Sequence, residues 1–338
     1  ANALSRCAMR RILIILALAV ALLPAPDKHK PTPLRAGVLL VAIRPLPLVA
    51  GDPGRTMAGV LPFLGAWELT SDNPAFGGLS ALLVEPGDRV LALSDSGTLM
   101  GFNMRADDQR RPFIAPLPIS PDERDKPWWW WDSESLTHNP QSGRYWVGFE
   151  LQNRICRYSP GFARVESCRA WPQMADWPKT GSIESLARLP DGRFLAIGEM
   201  AMTREGAHQA LLFPGDPADP ATADPIPLGL VPPQGFRPTD AVALDDRRLL
   251  IMGRRLTLAE LFTGAVGIVT LPDHPRPGDR IVARTLARLA PPLLADNYEG
   301  IALSRDAAGR RNLWIVSDDN HEFFQRTLLL RFALPDDL

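Results

Sequence analysis

Neither sign of charge dominates the 338-residue chain: 37 Lys plus Arg stand against 38 Asp plus Glu, and no lysine- or arginine-rich run occurs. A nucleic-acid partner calls for a basic field that gathers phosphates, so nucleic acid is set aside. No long stretch carries a 3.6-residue apolar period; Gly (26) and Pro (34) instead punctuate apolar runs of four to eight residues. The chain therefore reads as all-β. A G-x-S-x-G elbow and a glycine-rich phosphate loop are both missing. The five histidines (His29, His138, His208, His274, His321) fall in no zinc-like spacing, which leaves little support for nucleophilic serine or zinc chemistry. With 46% hydrophobic and 22% charged residues, the composition suits one large core or two smaller ones.

The apolar run Ile12 to Leu23, behind two arginines in "MRRILIILALAVALLPAPDK", is 12 residues long. That is short of the ~20 needed to span a bilayer. Residues 1–26 are expected to be a cleaved export signal, with Met9 a candidate start and an uncleaved anchor as the alternative, the one membrane association foreseen. Residues 27–54 then form an N-terminal extension and 55–338 the main domain, in a periplasmic or secreted protein. Cysteine is scarce: of three, Cys7 precedes the apolar run, leaving Cys156 and Cys168 on either side of "SPGF". Two β-prone runs joined there read as a hairpin that sets the two thiols opposite each other, and an oxidising compartment favours a bridge.

Four segments share one pattern: "DSESLTHNPQSGRYWVGFE", "GSIESLARLPDGRFLAIGE", "RPTDAVALDDRRLLIMGRR" and "DNYEGIALSRDAAGRRNLWIVSDD". An earlier stretch, "FGGLSALLVEPGDRVLALSDSG", fits the same frame with Gly77 in the place of the acid. Gly77, Glu134, Glu184, Asp240 and Glu299 are 57, 50, 56 and 59 residues apart. Such intervals hold about four short strands each, the repeat of a β-propeller. The last unit has 39 residues, and the 17 from Val60 to Gly77 make up the shortfall. An N-terminal strand sewn onto the C-terminal "RTLLLRFAL" would close a ring of five blades. Residues 36–50 have no place in this scheme, which keeps six blades open.

The first strand of each blade lines the channel, so Glu134, Glu184, Asp240 and Glu299 are expected at one mouth. Carboxylates so gathered repel unless something positive joins them. A divalent cation such as calcium on these four acids is one answer, and Arg154, Arg254 or Arg255 is another. Glu150, Glu199, Asp95, Asp318, Asp319, Asn320 and His321 follow the second strands and are candidate substrate contacts. The alternative for any single acid is to cap a turn or bind backbone amides between blades. In "KPWWWWDSES", successive strand residues would turn Trp129 and Trp131 one way and Trp128 and Trp130 the other. Packing between blades is favoured for them over stacking on a sugar.

At "WDSESL…YWVGFELQNRICRY", "SIESLARLPDGRFLAIGE", "PTDAVAL" and "DNYEGIAL…LWIVSDDNHEFFQRTLLLRFAL", in order over roughly residues 55–335, the chain resembles the bacterial family called esterase-like activity of phytase. The resemblance implies an exported β-propeller that hydrolyses phosphate or carboxyl esters. It places the family acids on Glu134, Glu150, Glu184, Glu199, Asp240, Glu299, Asp318 and Asp319, with Arg154 in an "FE-x-x-x-R" pattern. The family pattern carries Glu-Arg where this chain has Gly253-Arg254, so one acid of that set is missing. The expected activity is metal-assisted phosphate-ester hydrolysis on a small-molecule substrate, with Arg154 or Arg254 clamping the charge. Carboxyl-ester or lactone hydrolysis on the same site, and a non-catalytic binding propeller, are the alternatives.

Overall fold

In every second strand of the repeat, alternate residues are apolar on both faces. Leu249 and Ile251 join the buried cluster shared with the preceding sheet, while Leu250 and Met252 join the cluster shared with the next. A strand with period-2 side chains and both faces buried belongs between two other sheets. The computed structural model describes residues 34–338, and among them no α-helix occurs. The export segment, Met9 and Cys7 lie outside the described residues.

Five sheets follow the repeat, antiparallel throughout except at one outer edge. Blade I comprises Leu79–Glu85, Arg89–Ser94, Thr98–Asn103 and Phe113–Pro116. Blade II runs through Ser133–Asn139, Arg144–Phe149, Arg154–Tyr158 and Val165–Ala170. Blade III has Ile183–Arg188, Phe194–Met202, His208–Phe213 and Ile226–Val231, with Arg280–Val282 parallel at its outer edge. Blade IV has Arg237–Ala243, Arg248–Thr257, Leu261–Thr270 and Arg284–Leu289. In blade V, Tyr298–Arg305, Arg311–Ser317 and Leu328–Ala333 are followed by Leu61–Thr70, antiparallel to Leu328–Ala333 with Trp67 opposite Leu329.

Five buried clusters fill the five successive gaps between blades, the gap between V and I included. The protein is thus a five-bladed propeller. The stretch that left a sixth blade open is accounted for: Ala42–Leu46 pairs along the outer side of Leu61–Thr70. On either side of it, Gly37 exchanges two amide hydrogen bonds with Ile114 of blade I, and Val49 bridges to Leu293 just before blade V. Cys156 and Cys168 face each other across blade II and are joined by a disulfide.

One local expectation is corrected. The tryptophan run is a turn of 3-10 helix, Trp128–Trp131, entered through Pro127 at φ −65°, ψ 158° and closed by Trp130 N–H donating to the Pro127 carbonyl at 2.9 Å. The backbone there is not extended, so the strand alternation expected of this run does not apply. Of the four, only Trp130 and Trp131 have side chains among the described ones. Trp131 packs edge-on against Phe149, centroids 6.3 Å apart, and the Trp130 indole N–H donates to Glu123 at 3.1 Å.

Candidate functional site

All five inner strands begin with the same irregularity. Pairing to the second strand slips by one residue between Leu79 and Ala81, Ser133 and Ser135, Ile183 and Ser185, Pro238 and Asp240, and Tyr298 and Gly300. Such bulges re-aim a side chain at the rim of a sheet. The bulged residues are Ser80, Glu134, Glu184, Thr239 and Glu299, so the frame shifts by one residue in blade IV and by three in blade I. Ser80, not Gly77, and Thr239, not Asp240, stand where the other blades carry Glu.

A second ring follows the second strands. Asp95 N–H donates to the Gly78 carbonyl, Glu150 to Asp132, Glu199 to Ser182 and Asp318 to Asn297, at 2.9 to 3.2 Å. Arg254 holds the corresponding place in blade IV, opposite Arg237. Four blades thus bring an acid to this position and one brings a guanidinium. Arg254 donates to Glu199 at 3.1 Å, to the Asn297 side chain at 3.2 Å and to Glu299. The missing acid at Gly253-Arg254 is answered by a cation that ties two of the remaining acids together.

The donor set closest to a metal site is Asp132, Glu134 and Glu150, each offering a carboxylate oxygen within 4.8 Å of the others. Asp132 and Glu150 are buried and Glu134 is partly so. Glu150 is oriented by the Gly181 amide, which donates to it, and its carbonyl accepts from the Ser182 hydroxyl at 3.0 Å. Three hard oxygen donors at this spacing fit a divalent ion such as calcium or magnesium. Around them the mouth is strongly acidic. Burial pushes the Glu184 carboxyl well above the usual carboxylate range, and Glu134, Glu199 and Glu150 add to the rise. Asp318 is raised likewise, first by burial and then by Asp95. Charge of this density favours a bound cation.

Two of the four acids expected to hold that ion have other partners. Glu299 is taken by Arg254 and by the Asn297 amide at 2.9 Å. Asp240 is buried, its two oxygens accepting the Ala241 amide at 2.7 Å and, across the blade gap, the Ile301 amide at 2.8 Å. Glu184 stands beside the triad without belonging to it. Arg154 is buried against Phe149 (5.1 Å), Trp130 (5.5 Å) and Trp131 (5.8 Å) and ion-paired to Glu123. Arg255 is paired with Glu260 at 2.6 Å and lies over Phe236. Asp319 organises backbone: it accepts from the Gly78 amide (2.9 Å), the His321 amide (3.1 Å) and the Thr327 hydroxyl (2.7 Å). Gly77, at φ +127°, has no room for a side chain, since a Cβ would lie 2.7 Å from the Asp319 carboxylate. Asn320 bonds the Gln325 side chain at 3.2 Å, and His321 lies near Gly78 on the same loop.

Sequence reasoning missed Asp132 as a member of the acidic triad and Glu123 and Asn297 as partners. Asp132 had a signal, because the alternation Asp132-Ser133-Glu134 sets two acids on one side of an extended chain. Glu123 had none, since its arginine partner is 31 residues away.

The family model described as "Phytase-like: Esterase-like activity of phytase" matches residues 74–321. No curated protein matches the chain. Among solved structures, similar chains include hydrazine synthase of Kuenenia stuttgartiensis, at 11% identity, 72% of this chain, 77% of that one and a TM-score of 0.38. A putative oxidoreductase (glucose dehydrogenase) of Thermus thermophilus matches at 14% identity, over 86% of this chain and 100% of that one, with a TM-score of 0.39. The N-terminal domain of Nup159 matches at 8% identity, over 92% and 100%, with a TM-score of 0.38.

Proposed function

The chain belongs to the phytase-like family, and from that premise we propose that it is an exported, metal-assisted hydrolase of phosphate esters. The observation that carries the reading is the triad Asp132, Glu134 and Glu150, three carboxylate oxygens within 4.8 Å of one another. A divalent cation held there would polarise a phosphoryl oxygen and bring a water toward deprotonation near neutral pH.

The protein's own side chains prepare the site. The Gly181 amide fixes the Glu150 carboxylate, so that ligand is set before any ion arrives. Arg254 is engaged by Glu199 and Glu299 and steadies the mouth. Arg154 becomes a clamp for substrate phosphate by exchanging its partner Glu123 for the incoming oxyanion, a swap that keeps the buried guanidinium paired throughout. The disulfide fits an oxidising compartment, in keeping with export.

Calcium titration of the metal-stripped protein, followed by assays on phosphate esters, carboxyl esters and lactones, tests the reading. Glu134→Gln keeps the shape and removes a charge, and it is expected to weaken calcium at least tenfold and to lower phosphate-ester turnover in parallel. Calcium binding with turnover confined to carboxyl esters or lactones moves the chemistry to a carbonyl. No ion bound by the wild type and no hydrolysis of any ester would leave a binding propeller.

A further inference from the structure

The strands that carry acids at one end of the channel reach a different environment at the other. A cavity of about 180 Å³ lies between the inner strands of all five blades, lined by Leu83, Thr137, His138, Arg188, Val242 and Ile301 among others. Its walls are otherwise aliphatic, and Arg188 is the one lining residue with a permanent charge. Among the described residues no carboxylate forms an ion pair with it. Asp191, which acts on it through space, is bound to Arg193 at 2.7 Å, and Glu85, next to the lining residue Val84, is bound to Arg110 at 3.0 Å. Arg188 is half-buried, and a guanidinium partly withdrawn from water gains free energy when an anion meets it. Two further residues that carry donors line the same space. The Thr137 hydroxyl accepts the Arg188 amide at 3.2 Å and keeps its own proton to give. The His138 ring stacks on Tyr145 with centroids 6.1 Å apart.

We propose that this cavity is a binding site for a small oxyanion, with the Arg188 guanidinium as counter-charge and Thr137 and His138 as hydrogen-bond donors. The planar fork of arginine matches the oxygens of phosphate, sulfate or carboxylate. Since roughly 10–15 Å³ of such space takes one water, the cavity holds a small polyatomic anion together with residual waters. Burial is the first cause lowering both Arg188 and His138, and the Arg188 charge lowers His138 further, which places the two groups close together. Four residues along one strand separate Glu184 from Arg188, about 13 Å at the rise of an extended chain. The channel thus has an acidic end and a separate cationic end, and the second does not depend on how the first is read.

Inorganic phosphate titrated into the full chain by calorimetry, with EDTA present to keep the acidic mouth free of cations, tests the site. One saturable site is expected, at least tenfold weaker in Arg188→Gln and largely retained in Arg188→Lys. Should Arg188→Gln fail to fold, His138→Gln serves in its place, with an expected loss of threefold or more. Absence of saturable binding to the wild type overturns the proposal. Binding that survives Arg188→Gln but disappears in Arg254→Gln also overturns it, by placing the anion at the other mouth.

Discussion

Glu184 and Asp240 sit on neighbouring inner strands, both withdrawn from water, yet their oxygens meet different things. Those of Asp240 take two backbone amides, one in its own blade and one in the next, whereas Glu184 faces other carboxylates. Asp240 is therefore a fastener between blades. Asp240→Ala leaves two buried amides unpaired and is expected to cost about 1–3 kcal/mol of unfolding free energy, measured by denaturant melts, while calcium titration stays unchanged. Loss of calcium binding without loss of stability would contradict that role. His208 offers a pH test. Burial lowers its folded value below the usual 6.5, so the unfolded chain takes up the proton first. Stability linked to His208 is fully present above pH about 6.5 and is lost as pH falls through it toward the folded value. Urea melts between pH 8 and 5 should lose more stability in the wild type than in His208→Gln; equal losses would remove His208 as the cause.

Among the elements, the disulfide hairpin was legible because everything that decides it is local. Two β-prone runs and one short turn bring Cys156 opposite Cys168, whatever the rest of the chain does. The bridge closes a loop with a sequence separation of 12, so its reduction is expected to lower stability by about 2–3 kcal/mol on chain-entropy grounds. Guanidinium melts with and without reductant measure this, and coincident curves would show that the outer strand of blade II holds without the bond. The tryptophan run was not legible. Its length and apolarity suit a strand, but Pro127 at its head and the contacts of Trp130 with Glu123 and Arg154 fold it into a single tight turn. Those contacts come from another loop and another strand.

For the molecule as a whole, the pairing of Leu61–Thr70 with Leu328–Ala333 covers an edge of blade V that would otherwise be open. Leu61–Thr70 lies against Leu328–Ala333, and Trp67 stacks on Trp314 with centroids 5.9 Å apart. Deleting residues 60–72 strips blade V of this strand and uncovers Leu328–Ala333 along its length, so the product is expected to lose cooperative thermal unfolding and to aggregate. A soluble deletion product that melts in one sharp transition would count against closure by this strand. The same scale explains the charges. In a chain with a formal net charge of −1, Glu184 and its acidic neighbours gather at one end of the inner strands while Arg188, without a carboxylate ion-pair partner among the described residues, stands at the other, which composition cannot reveal.

By itself the sequence determined the all-β class, the blade repeat and the disulfide, because each rests on patterns within a single strand or hairpin. The repeat also marked Glu134 and Glu184 at the heads of their blades and Glu150 just after a second strand. Tertiary structure decided which of these acids share a site. The bulge at the head of every inner strand moved the frame in blade IV from Asp240 to Thr239, the fold brought Asp132 beside Glu150 of the second strand, and Arg254 drew Glu299 away from any metal. Period and spacing give a strand's place in a blade, but a carboxylate's partner is set by where a one-residue slip in pairing aims it and by which neighbouring blade faces it there.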